Sequence, residues 1–185
     1  MDEAKGLWTI SALSDALPWF FPAMVLWLFV SVPASRRFAR LFTLPLPAAL
    51  GVLTALGLIL SATLTPLDDI AVEVGSSGNC DWSRVGLPPL GQLVRVNDTS
   101  LNVLLFMPLG FSIGLIPSGI PKTRLVIAAI ALPACIEVVQ LLAPSLGRGC
   151  QTADVIDNLG GFFLGLGAGI VTMYVGGRPK RDERV

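Results

Sequence analysis

The chain has 185 residues, of which 53% are hydrophobic and only 14% charged, about half the charged share of a soluble domain. Its mean hydropathy is +0.72, so too few polar groups exist to cover a soluble globule, and an all-α integral membrane protein is expected. The 13 basic and 13 acidic residues cancel, which gives no basis for a nucleic-acid partner, and the absence of histidine excludes Ser-His-Asp and Cys-His catalysis and histidine zinc sites.

A helix needs about 20 apolar residues to cross hydrocarbon, and five stretches approach that length: 17–32, 46–64, 101–116, 125–143 and 155–175. They predict one membrane domain over residues 1–185, a bundle of five transmembrane helices with a long extracytoplasmic loop, 65–100, between the second and third. Trp19 and Trp27 suit the interfacial belts of the first span, which can also begin earlier, with Ser11 or Ser14 as its N-cap. Asp98 or Thr99 is expected to cap the third.

Charge sets the orientation. Arg36, Arg37 and Arg40 follow the first span, Lys122 and Arg124 precede the fourth, and Arg178, Lys180, Arg181 and Arg184 lie in the tail, all on one side of a five-span chain. Lys and Arg are retained in the cytoplasm, so the amino terminus and the 65–100 loop are expected outside and the carboxyl terminus inside. The acidic residues Asp2 and Glu3 speak against a cleaved signal peptide, which starts with positive charge.

Five spans place Cys80 and Cys150 in loops on the same outer side, where disulfides persist. A Cys80–Cys150 bridge is expected, worth roughly 4 kcal/mol through loop closure; the alternative is two free thiols. Cys135 falls inside the fourth span and is read as a small buried hydrophobe.

In the fifth span Gly161, Gly165 and Gly169 recur every four residues, a stripe that admits another helix closely. At about 100° per residue, Asp154, Asn158, Gly161, Gly165 and Ala168 share one direction, with Asp157 at the edge of that sector. The polar residues therefore point into the bundle and need partners. Glu137 and Gln140 on the fourth span, Asn102 at the start of the third, and Arg148 in the last loop lie at the same end. Asn102, Glu137, Gln140, Arg148, Asp154, Asp157 and Asn158 thus form either a binding site or a hydrogen-bond network that secures packing.

The string Asn102-Val-Leu-Leu-Phe-Met-Pro108-Leu-Gly110, then Glu137-Val-Val-Gln140, Arg148 and Asp154-Val-Ile-Asp157-Asn158-Leu-Gly160 resembles the VanZ-like family over about residues 46–175. The resemblance implies a multi-pass protein of the bacterial cell membrane and a link to low-level teicoplanin resistance, without an established mechanism. Within the motif Pro108 is expected to kink the third helix, with Gly110 leaving room beside the bend and Gly160 counted with the packing glycines. Membrane lipids are the expected partners, with a lipid-linked cell-wall precursor or glycopeptide as ligand and no cofactor or metal.

The leading expectation is an outward-facing polar pocket that binds such a ligand, with Arg148 meeting an anionic group. The alternative is a membrane-embedded metal-dependent enzyme acting on a lipid phosphate or glycolipid through Glu137, Asp154 and Asp157. A transporter is disfavoured by the lack of a visible inverted repeat.

Overall fold

A computed structural model describes residues 18–67, 79–93, 95 and 97–176. The amino-terminal acids and Lys5, the expected caps Ser11 and Ser14, the loop acids Asp68, Asp69 and Glu73, and the basic tail lie outside the described residues. The described chain is helical: α1 (Phe20–Phe42), α2 (Leu46–Thr63), the short α3 (Leu90–Leu93), α4 (Asp98–Gly114), α5 (Thr123–Leu142) and α6 (Thr152–Gly176). Of these, α2, α5 and α6 are long and apolar enough to cross a membrane. α4 has 17 residues, and the carboxyl half of α1 carries Arg36, Arg37 and Arg40.

α1 continues ten residues past the expected end of the first span. The apolar run stops at Val32, but the backbone does not, because a proline at position 33 removes one N–H without preventing helical φ. Nearby, Ser31 and Ser35 donate to the Leu28 and Val32 carbonyls at 3.2 and 2.6 Å. The helix stops where Thr43 adopts φ 54° and the Leu44 amide turns back to the Ala39 carbonyl at 2.8 Å. Pro45 then ends the turn and α2 begins. α1 is fastened to α2 by Trp27, whose Nε1 donates to the Leu53 carbonyl at 2.7 Å while its ring covers Gly57.

α4 begins three residues before the expected third span, and Asn97, not Asp98 or Thr99, is its N-cap. Asn97 is extended, so its Oδ1 accepts from the Ser100 amide at 2.9 Å while the Ser100 hydroxyl accepts from the Asn97 amide at 3.1 Å. This reciprocal capping box satisfies two amides, which a single Asp98 or Thr99 cap would not. Pro108 lies inside α4, which continues unbroken to Gly114.

The tightest crossing is α4 on α6. A Cβ at Gly161, Gly165 or Gly169 would collide with the Val103, Met107 or Phe111 carbonyl, and one at Gly110 with the Phe162 carbonyl. The register rises on both helices together, so α4 and α6 run parallel. Spacing of four on both helices lets the backbones touch. Gly160 has open space where a Cβ would sit, and Ala168 is exposed, so neither belongs to this face. The stripe runs through Gly169 in place of Ala168 because four-residue steps, not strict 100° rotation from Gly165, follow the ridge of the partner helix.

α2 packs between α1 and α4, and α5 packs on α6. The core joins Ala49, Val52 and Ile59 of α2 to Phe106, Leu109 and Ile113 of α4, Ile136 of α5 and Phe162 of α6. Cys135 is exposed on α5, not buried. α5 is apolar on nearly every side and turns only Leu125, Ala129, Pro133, Ile136, Glu137 and Gln140 inward, so hydrophobicity alone does not identify its inner face.

Candidate functional site

α6 starts three residues before the expected fifth span, at Thr152, which places Asp154 and Asp157 in its first two turns. There the orphaned amides of a helix start favour negative charge. The loop that carries Cys80 is held against this helix start. Cys80 and Cys150 are disulfide-bonded with their Cα atoms 4.5 Å apart. The Asp81 amide donates to the Cys150 carbonyl at 2.8 Å, and the Asp81 carbonyl accepts from the amide and hydroxyl of Thr152 at 3.0 and 2.9 Å. The Asp81 carboxylate accepts from the Ser83 amide and hydroxyl at 2.8 and 3.0 Å, which holds its pKa below the ordinary value.

This clamp delivers Arg84 to Asp157. The Arg84 guanidinium donates to Asp157 Oδ2 and, at 3.3 Å, to the Ala153 carbonyl. Asp157 is 1% exposed and Arg84 27%, so the arginine is both the counter-charge and the cover of a buried carboxylate. Sequence reasoning named Arg148 for this task by proximity along the chain and missed Arg84, 73 positions from Asp157.

Arg148 does other work. Its Nε donates to the Thr65 carbonyl at 3.3 Å, and it lies within electrostatic reach of Asp154 and Glu137. Burial pushes the guanidinium below its ordinary pKa, and the Asp154 and Glu137 carboxylates push back. Gln140 donates to the Thr63 carbonyl at 3.0 Å. Together, Gln140 and Arg148 satisfy carbonyls at the carboxyl end of α2, whose last groups lack intrahelical partners. Glu137 accepts from the Gln151 amide at 2.7 Å, joining α5 to the residue before α6. Asn102 of α4 hydrogen-bonds Asp154, which also feels Asp157, Asp98 and Arg84.

The seven predicted residues therefore gather at one end of the bundle as a row: Glu137, Arg148, Asp154 with Asn102, then Asp157 with Arg84. Gln140 and Asn158 flank it on α5 and α6. Three buried polar atoms in this row have no hydrogen-bond partner among the described residues: Arg148 Nη2, Asp157 Oδ1 and Asn158 Oδ1. Buried polar atoms are normally paired, so one donor and two acceptors remain unsatisfied in the buried part of the row. Among the described residues no three His, Cys, Asp or Glu side chains gather in a set that could hold a metal ion. Glu137 and Asp157 are committed to Gln151 and Arg84 instead.

No curated protein and no solved structure shows significant similarity to the chain. The family model described as VanZ/LLP1 matches residues 19–173, most of the chain and all of the polar row. The chain belongs to the VanZ/LLP1 family.

Proposed function

We propose that this protein spans a bacterial cell membrane five times, with α1 and α4 as the additional passes, and that the polar row faces outward beneath the disulfide clamp. In this reading the row binds a lipid-borne or glycopeptide ligand and thereby contributes to teicoplanin resistance. The outward placement follows from the positive-inside distribution of Lys and Arg and from a disulfide, which suits an oxidising compartment. The observation that carries the reading is the set of orphaned atoms on Arg148, Asp157 and Asn158. A phosphate or carboxylate would accept from Arg148 Nη2, and hydroxyl or amide donors would reach the two oxygens. Sequestering a lipid-linked precursor or the antibiotic at that rim would lower the effective dose reaching the wall.

The test is the teicoplanin susceptibility of a sensitive bacterium expressing wild type, Glu137→Gln, Arg148→Ala or Asp157→Asn at equal membrane abundance. Wild type is expected to protect, and Arg148→Ala and Asp157→Asn to lose that protection. Failure of wild type to protect removes the resistance role. Protection by every variant removes the polar row from it.

A further inference from the structure

We propose that the segment Trp82–Leu87 is a membrane-dipping rim, its apolar side chains inserted into the interfacial layer of the bilayer around the end of α6. The depth of this segment is set by two contacts. Asp81 is hydrogen-bonded to Cys150 and Thr152, so Trp82 hangs one residue from the level at which the membrane-spanning helix begins. The Arg84 guanidinium donates to both the Ala153 carbonyl and Asp157, so it lies beside the first two turns of α6. The segment is thus fastened at both Asp81 and Arg84 against the first turns of α6.

Its side chains divide accordingly. Arg84 turns inward to the buried carboxylate, while Trp82, Val85 and Leu87 turn outward, 70%, 75% and 83% exposed. With α6 crossing the membrane, the medium beside its first turns is the layer between headgroups and hydrocarbon, where a tryptophan ring with one polar edge is most favourable. Further along, α6 itself exposes Phe163 and Leu164.

The experiment uses the full chain in phosphatidylcholine vesicles. Trp82 emission is taken as the difference between wild type and Trp82→Phe, a change at an exposed ring that leaves the clamp intact. Lipids brominated near the headgroup end of the acyl chain are expected to quench most of that difference emission. Lipids brominated near the chain terminus should quench less, and aqueous iodide little. Quenching by iodide and not by bromolipid overturns the proposal, as does shielding from both, which would mean that a second copy or another protein covers the rim.

Discussion

Arg84→Ala is expected to destabilise the folded protein by about 3 kcal/mol or more, the cost of removing one partner from a buried pair and leaving the other charge unpaired. Asp157 is almost wholly buried and its second oxygen already lacks a partner, so nothing else in the described structure takes over from the guanidinium. The companion Asp157→Asn removes the charge that needs compensating, and the double variant should recover much of the loss, because an amide is far cheaper to bury than a carboxylate. Arg84→Lys should fall between, keeping the charge but not the fork that also reaches the Ala153 carbonyl. Denaturant unfolding of wild type and the four variants in detergent measures this directly. Equal stability of Arg84→Ala and wild type would show that the pair contributes nothing to the fold.

The glycine stripe supplies the second large effect, and its sign depends on position. Gly165→Ala puts a Cβ into the Met107 carbonyl and Gly161→Ala into that of Val103. Backbone cannot swing aside as a side chain can, so each should cost about 1–3 kcal/mol by forcing the helices apart. Gly165→Leu should prevent the α4–α6 crossing altogether. Gly160→Ala and Gly167→Ala meet open space and should be neutral or slightly stabilising, since alanine is the better helix former by up to about 1 kcal/mol. The four alanine variants compared by thermal unfolding test the register. Equal effects at 160 and 161 would contradict it.

Much of this arrangement is readable in the sequence because it rests on periodicity or sidedness. The four-residue glycine spacing announces a helix crossing, and the two expected spans between Cys80 and Cys150 put them on one side. Features that depend on long-range pairing are harder to read. Arg84 and Asp157 are far apart in sequence, yet once a Cys80–Cys150 bridge is assumed, Arg84 stands four residues beyond one cysteine and Asp157 seven beyond the other. That spacing was the available signal. The roles of Gln140 and Arg148 as partners of Thr63 and Thr65 carbonyls depend on where α2 ends in space, which no local pattern encodes. Cys135 and the extension of α1 were misread for one reason: hydropathy marks where a membrane is, while helix ends and inner faces follow from backbone geometry and packing.

The proposed ligand site is tested most directly by titrating purified wild type and Arg148→Ala with teicoplanin, a lipid-linked wall precursor and phosphatidylglycerol, after matching their unfolding midpoints. Saturable binding of at least one of these, weakened about ten- to a hundredfold by loss of the charged donor, is the predicted result. Absence of saturable binding by wild type, or equal binding by both proteins, would contradict it and leave the polar row as the packing network that joins α2, α4, α5 and α6.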